Sequence, residues 1–286
     1  MSGFALSCTF TMNLNIIIMK KISLLTLTLG LLVLVGCNET KNKDDKKEEA
    51  KAVDVTDSIV TLTPLEGSPE YTEATLTHPG GDVIEVPEAS VDFNFAVENY
   101  ELGTQTANAG KNGLANSGKG QHIHFILDNG PYSAHYESDF SKDIEVGDHV
   151  LLAFLSRSYH EAVKNPTSFI VKKIRVGDPS EDQQMDVDFS AEHMFYSRPK
   201  GTYSGKDTEK VLLDFFLVGT KISPDGNKVK AVINDGEEFL LTEWKPQVIE
   251  GLPMGENKIQ LTLVDKDLKP IPGPFNTVTR TITLEK

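Results

Sequence analysis

The sequence contains little cysteine, little positive charge and no long apolar run, and each shortage narrows what the chain can be. Only two cysteines occur, at positions 8 and 37, which excludes a framework of several disulfides. The formal net charge is −14, without a basic, aromatic-studded stripe, so a nucleic-acid partner is excluded. No apolar run reaches the roughly 20 residues of a comfortable membrane span.

Recognisable enzyme signatures are missing as well. The chain has no G-x-S-x-G elbow, no P-loop and no dinucleotide fingerprint, and the compact zinc spacing HExxH is absent. Acidic neighbours such as Asp235 and Glu237 fall in turns, where solvated carboxylates are ordinary. We therefore predict a protein that is not an enzyme.

The segment that begins at Met19 has the pattern of a secretory signal. Two lysines precede an apolar run over 22–35, and a small residue follows it. The tetrapeptide 34–37 resembles the lipobox of bacterial lipoproteins, in which the cysteine is acylated. We predict a signal peptide over 1–36, a true start at Met19 and a palmitate-type lipid on Cys37 that anchors the chain to a membrane. The alternative is an ordinary signal peptide or anchor with a chance cysteine.

Residues 37–56 comprise the lipidated cysteine and a charge-rich tether that follows it. They hold almost no large apolar side chain, so we expect them to be disordered. The Lys-Asp-Asp run at 43–45 resembles the surface-export signal of Bacteroidota lipoproteins. The predicted location is the cell envelope, on the outer membrane and exposed at the surface. Periplasmic residence is the alternative.

The remaining chain predicts an all-β fold built twice. Short alternating runs rich in Val, Ile, Phe and Thr lie between Gly, Pro, Asn and Asp turns, which is typical of antiparallel sandwiches. Residues 122–130 align with 228–236 in a collinear internal repeat. We predict two tandem Ig-like antiparallel β-sandwich domains, over 57–178 and 179–286.

The two copies differ at one face. The first copy carries a Gly- and Asn-rich loop, 104–120, where the second has only 224–226. His122 and His124 replace lysines on one side of a strand. On the neighbouring strand, apolar residues of the first copy replace polar residues of the second. Val150, Leu152 and Phe154 align with Lys258, Gln260 and Thr262. This pattern places a ligand site on the outer face of the first sandwich, beneath the loop. A cover formed by the second sandwich, or a loop lid without a ligand, would also explain it.

The paired histidines indicate a metal site. Neutral imidazole is the commonest metal ligand, and three imidazoles with a carboxylate or water suit Cu(II) or Zn(II). The alternative is that the paired histidines only form hydrogen bonds to the loop and to a neighbouring Tyr or Asp. The candidate ligands are His122, His124, His149, His160 and Glu161.

A cluster of cationic and aromatic residues indicates a second possibility, an anion site. Arginine forks beside tyrosine hydroxyls suit phosphate or carboxylate recognition. The alternative is ordinary surface charge with structural tyrosines. The candidates are Arg157, Tyr159, Lys164, Arg198, Lys200 and Tyr203.

Three blocks, 122–136, 151–164 and 195–203, carry a family resemblance that covers most of residues 70–286. The chain resembles Bacteroidota envelope lipoproteins with tandem Ig-like domains, a family often labelled phosphopeptide-binding. The resemblance implies a phosphate-like ligand, with Arg157, Lys164, Arg198 and Lys200 as its candidate contacts.

The histidine strand is also similar to a bacterial family built around an HHHLLID strand, through His122, His124 and Asp128. Gln121 stands where that family has its first histidine, which puts the transfer of a metal site in doubt. Asp128 joins the candidate ligand-binding residues.

Together these patterns predict a membrane-anchored, non-catalytic binding lipoprotein with its ligand site around the His-x-His strand. The ligand is an anion or phosphopeptide, or a metal ion. A glycan-binding or purely structural, adhesive surface lipoprotein is the alternative.

Overall fold

The computed structural model describes residues 59–286. The signal peptide, Cys37 and the tether lie outside these residues, so their assignments stay predictions. Within 59–286, no helix has both the length and the apolar character that crossing a membrane requires.

Residues 59–286 contain eighteen strands and two short 3-10 helices, Glu181–Gln183 and Gly205–Thr208. In chain order the strands are β1 (Thr61–Pro64), β2 (Thr75–Thr77), β3 (Val83–Val86), β4 (Ser90–Asn94), β5 (Ala96–Glu98), β6 (His122–Leu127), β7 (Ser133–His135), β8 (Asp139–Asp143), β9 (Gly147–Ser156), β10 (Phe169–Val176), β11 (His193–Arg198), β12 (Gly201–Ser204), β13 (Val211–Val218), β14 (Lys228–Ile233), β15 (Glu237–Leu241), β16 (Gln247–Glu250), β17 (Gly255–Val264) and β18 (Thr277–Glu285).

The predicted all-β fold with two tandem sandwiches is confirmed. The first sandwich has a five-stranded sheet in the order β3-β10-β9-β6-β7, which faces the pairs β2-β5 and β4-β8. The second has a five-stranded sheet in the order β12-β18-β17-β14-β15 and a four-stranded sheet in the order β1-β16-β13-β11. In both large sheets the first strand is parallel to its neighbour and the others are antiparallel.

Equivalent turns support the internal repeat. Asp128 and Asn129 both have positive φ, as do Asn234 and Asp235 at the matching place in the second copy. Two consecutive positive φ values are the mark of a type I′ hairpin turn, which Asn and Asp tolerate best. Gly130 N–H and Gly236 N–H close the two turns on the carbonyls of the residues three positions earlier.

Strand β1 departs from the predicted boundaries. Residues near 60 were assigned to the first sandwich, but β1 pairs antiparallel with β16, so it extends a sheet of the second. The first strand of the described residues therefore links the two sandwiches, which form one compact unit. The pairing is non-local, which explains why alternation in the sequence could not reveal it.

A hydrophobic cluster between the two sandwiches buries the unusual outer face of the first. It joins side chains of β6 and β9 to three phenylalanines of the second copy. The equivalent face of the second sandwich is more open, since Lys258 is exposed and Gln260 half-buried, although Thr262 is buried. The fully or almost fully buried members of the cluster are Ile126, Tyr132, Val150, Leu152, Phe154, Ala162, Phe195, Phe216 and Phe275.

Asn129 fastens the docking from the tip of the β6–β7 hairpin. Its Nδ2 donates to the carbonyls of Met194 at 3.2 Å and Phe275 at 2.9 Å. Its Oδ1 accepts the Tyr196 N–H at 2.8 Å. One side chain thus satisfies three backbone groups of the second sandwich, a use of hydrogen bonds that fixes the relative placement of the two copies.

Candidate functional site

The histidine strand β6 lies against the second sandwich. His122 and His124 are two residues apart, so both side chains point to the outer face of the sheet. Both are fully buried, and His124 Nδ1 lies 3.3 Å from Ser197 Oγ on β11. The sequence placed this face beneath the loop 104–120 as a ligand site, with docking of the second sandwich as one alternative. The second sandwich covers it.

A third histidine reaches the same place from the turn after β9. His122 pairs with Ser156 at the end of β9, so the turn over 157–161 begins beside it. The His160 N–H donates to the Arg157 carbonyl at 2.8 Å and closes this turn. His160 has a φ of +73°, a left-handed conformation that non-glycine residues adopt at a cost of about 1–2 kcal/mol. Such strain often marks a position where the side chain has a function.

Three imidazole nitrogens converge at this point. His122 Nε2 lies 2.9 Å from His124 Nε2 and 3.2 Å from His160 Nδ1. The ligand atoms of the three residues all lie within 4.8 Å of one another, and among residues 59–286 they form the one such group of His, Cys, Asp or Glu. No carboxylate belongs to it.

Hydrogen bonds orient the rings. The Gly120 carbonyl accepts from His122 Nδ1 at 2.8 Å, which leaves a lone pair on Nε2 of the neutral ring. His124 Nε2–H can then donate to His122 Nε2, while Ser197 Oγ donates to His124 Nδ1. Tyr132 Oη lies 3.2 Å from His160 Nδ1 and can donate to it.

The surroundings keep all three rings neutral. Burial lowers the pKa of His122 to about 4 and lowers the pKa of His124 well below its usual value. Burial also lowers the pKa of His160, with help from the positive charge of Arg198. Neutral imidazoles are the form that binds metal, so the site is ready for a cation without losing protons.

The long loop 104–120 acts as a buttress, whereas a cover over the histidines was predicted. Thr106 and Ser158 exchange two hydrogen bonds, from Thr106 N–H to Ser158 Oγ at 3.2 Å and from Ser158 N–H to Thr106 Oγ1 at 2.9 Å. Leu114 packs in a small cluster with Tyr159 rather than over the rings. The loop therefore holds the turn that carries His160.

The other predicted metal ligands do not join the group. His149 Nδ1 contacts Asp128 at 2.6 Å, and its Nε2 lies 2.9 Å from the Glu145 carbonyl. Glu161 accepts from Ser68 Oγ at 2.5 Å and pairs with Arg157 at 3.3 Å. Because neighbouring residues in the 157–161 turn point to opposite sides, His160 enters the group and Glu161 leaves it.

Most predicted anion contacts have partners within the protein. The Arg157 guanidinium donates to the carbonyls of Pro69 and Ala162. Lys164 Nζ forms an ion pair with the fully buried Asp214 at 2.6 Å. Tyr159 is fully buried. Asp128 contacts His149, as described above, and accepts a hydrogen bond from the Val150 N–H at 2.7 Å.

Arg198 and Lys200 do lie beside the histidines. Lys200 Nζ donates to the Tyr132 carbonyl at 2.6 Å and sits 4.0 Å from the centre of the Tyr132 ring. Arg198 Nη1 donates to Tyr203 Oη at 2.8 Å, and Arg198 Nε is buried without a hydrogen-bond partner. Of the cationic residues predicted to contact an anion, Arg198 and Lys200 are the two that lie near the histidines.

The hydrogen bond from His122 to Gly120 is the loop contact that the alternative interpretation of the histidine pair predicted. Two other contributors, Tyr132 and Ser197, were not named from the sequence. Tyr132 stacks on His124 with ring centroids 3.6 Å apart. A local signal existed for Tyr132, since it directly follows the Asp-Asn-Gly-Pro turn of the histidine hairpin. Ser197 carried no such signal, because its proximity to His124 depends on how the sandwiches dock.

Comparisons with known proteins are limited to the fold. No protein-family model matches the chain, and no curated protein sequence matches it. Similar solved structures include the fibronectin(III)-like modules of Clostridium thermocellum CbhA, with 14% identity over 74% of this chain and 94% of that chain, at a TM-score of 0.26. A two-domain fibronectin type-III segment of chicken tenascin has 9% identity over 73% and 98%, at 0.21.

A third similar structure is the Bacteroides ovatus mixed-linkage glucan utilization protein SGBP-B in complex with a heptasaccharide. It has 10% identity over 79% of this chain and 70% of that chain, at a TM-score of 0.22. At these TM-scores the likenesses add nothing to the strand order described above.

Proposed function

We propose that the protein is an envelope-anchored, non-catalytic lipoprotein that binds a metal ion at the three histidines between its two sandwiches. One observation carries the proposal, which is the convergence of His122 Nε2, His124 Nε2 and His160 Nδ1 in a buried, carboxylate-free group. The lipid on Cys37 and the outer-membrane location remain part of the proposal, supported by the lipobox resemblance.

The spacing of the nitrogens suits a metal. Metal–imidazole bonds of about 2.0–2.1 Å place neighbouring ligand nitrogens about 2.8–3.4 Å apart in square-planar or tetrahedral geometry. The separations of 2.9 and 3.2 Å fall in that range, and all three ligand atoms lie within 4.8 Å of one another. Binding needs one tautomeric change, in which the His124 proton moves from Nε2 to Nδ1 and is donated to Ser197 Oγ.

The metal hypothesis accounts for more of the site than the anion hypothesis. Arg157 and Lys164 are neutralised by Glu161 and Asp214, so a phosphopeptide would keep only Arg198 and Lys200. Neither hypothesis requires turnover. Among residues 59–286, no specific group of residues favours a glycan-binding or adhesive role over metal binding.

Titration of the purified full chain with Cu(II) and Zn(II), followed by calorimetry, tests the proposal. We expect one ion per chain, and a loss of affinity of more than about 100-fold in His124→Gln, because losing an outer-shell partner alone costs 10–100-fold. The matched control is His149→Gln, which removes a histidine that contacts only Asp128 and a carbonyl. Equal effects of the two substitutions, or no binding by the parent chain, would rule out the three-histidine centre.

A further inference from the structure

We infer that the segment 198–203, at which β11 passes into β12, binds an oxyanion of the carboxylate or phosphoryl class at a second site, separate from the three histidines. Arg198 Nη1 donates to Tyr203 Oη at 2.8 Å, and the Lys200 N–H donates to the same oxygen at 3.4 Å. The Tyr203 hydroxyl therefore holds the two cationic residues together in one place.

Neither cation has a carboxylate that neutralises it. Among residues 59–286, Arg157 and Lys164 form ion pairs, whereas Arg198 and Lys200 form none. Arg198 is 7% exposed, and its Nε is buried without a hydrogen-bond partner. Because Nη1 is engaged by Tyr203, Nε and Nη2 form the edge of the guanidinium that remains for a ligand. Such an edge binds two oxygens of one carboxylate or phosphoryl group side by side.

The electrostatic balance of the segment favours a bound anion. Burial lowers the pKa of Lys200, and the positive charge of Arg198 lowers it further. Both effects destabilise the charged form of Lys200, and a neighbouring anion acts in the opposite direction. Lys200 Nζ donates to the Tyr132 carbonyl at 2.6 Å, which leaves the other N–H donors of the ammonium for a ligand.

The free groups of these three side chains are all donors, which selects an anion over a neutral ligand such as a sugar. The Tyr203 oxygen already accepts two hydrogen bonds, so the proton of its hydroxyl is what remains for a ligand. Arginine and lysine side chains contain no acceptor atom. A ligand that meets all three side chains must therefore supply acceptors alone, as an oxyanion does.

The segment is open to solvent on one side. Gly201 and Thr202 are exposed, and Lys200 is half-buried. Gly201 has a φ of +74°, and a Cβ added at this position would meet no atom within 4 Å. An anion can therefore approach the segment from solvent past Gly201.

The test is a calorimetric titration of the purified full chain, with no metal added, with sodium phosphate and with sodium acetate at an ionic strength held constant by sodium chloride. We expect one anion bound per chain, and the anion that binds more tightly names the class of ligand. Lys200→Gln and Arg198→Lys should each bind it at least about tenfold more weakly, because the first loses a charged donor and the second loses the fork. The matched control is Lys206→Gln, which removes an equal charge from an exposed side chain shortly after β12 and should change the affinity by less than about twofold.

A parent chain that binds neither anion overturns the inference. Equal losses of affinity in Lys200→Gln and Lys206→Gln also overturn it, because they would show attraction by overall charge rather than by this segment. If Arg198→Lys does not fold, the parent and Lys200→Gln decide the question. Because no metal is present in this titration, each outcome is independent of whether the three histidines bind copper.

Discussion

The first and second sandwiches share a strand order and a turn type but use the same sheet face in opposite ways. In the first, β6 and β9 present His122, His124 and an apolar row that lies buried against the second copy. In the second, the matching face carries Lys228 and Lys230, which remain partly exposed. The two copies thus share a fold, and the residues in which they differ on this face form the interface between them.

The apolar residues and the histidines on that face of the first sandwich need separate explanations. The apolar residues of β9 dock the sandwiches, which needs no ligand. The histidines are a poor choice for docking alone, because burying three imidazoles side by side brings a desolvation cost that apolar residues would avoid. The left-handed backbone of His160 adds to that cost. The proposed metal binding would explain why both costs occur at one point.

The largest expected effect comes from breaking the docking. Asp214→Asn removes the charge that pairs with Lys164 across the two sandwiches, and Asp214 also accepts the Ala162 N–H at 2.8 Å. Breaking a buried ion pair typically costs about 3–5 kcal/mol. Chemical denaturation should show a loss of this size in the free energy of unfolding.

Asp235→Asn in the second sandwich is the matched control. It breaks the exposed pair with Lys258, and Asn tolerates the positive φ of position 235. The expected loss is below about 1 kcal/mol. Similar losses for the two variants would mean that Lys164 and Asp214 do not hold the sandwiches together.

An intermediate effect is expected from pH in the presence of a chelator. The pKa of His122 is about 4 in the folded protein and 6.5 in the unfolded chain. Below pH 6.5 the unfolded state therefore binds a proton at His122 that the folded state does not bind. Stability should be constant above pH 6.5 and fall towards pH 4. Between pH 7.5 and 5.5, His122 alone should account for about 1.4 kcal/mol.

His122→Gln isolates this contribution, because burial also lowers the pKa values of His124, His160 and His135, and these groups add to the slope in both proteins. Thermal melts at the two pH values give the measurement. A slope that does not flatten in His122→Gln would show that His122 is already protonated or solvated in the fold.

The smallest effect is expected when the histidine pair is transplanted. Lys228→His with Lys230→His recreates the His-x-His pattern on β14, where both lysines are partly exposed. Stability should change by no more than about 0.5 kcal/mol, as for most surface substitutions. In a His124→Gln background the transplanted pair should bind Cu(II) far more weakly than the parent, since it lacks the third imidazole and the second-sandwich cover. Parent-like affinity would show that a strand pair alone is sufficient.

Much of the fold and part of the candidate site could be predicted from the sequence alone. Alternating strands and Asx-rich turns predicted the two sandwiches, because side-chain parity and turn chemistry are local. Parity also predicted that His122 and His124 share a face, and the inventory of histidines contained His160.

The remainder depends on non-local placement. The pairing of β1 with β16 and the approach of Ser197 to His124 follow from how the copies dock, which periodicity does not encode. His160 and Glu161 were equally plausible ligands until the backbone of the 157–161 turn separated them. Tyr132 could be anticipated only as an unnamed neighbouring Tyr, because its stacking on His124 depends on the geometry of the hairpin that joins β6 to β7.

The most direct measurement is X-ray absorption at the copper edge of the full chain loaded with one equivalent of Cu(II). The predicted result is multiple scattering from three imidazoles at about 2.0 Å, with the fourth light-atom ligand an oxygen. In His160→Asn, which keeps the left-handed backbone accessible, the imidazole count should fall to two. A parent site with fewer than three imidazoles, or an unchanged count in His160→Asn, would contradict a centre formed by His122, His124 and His160.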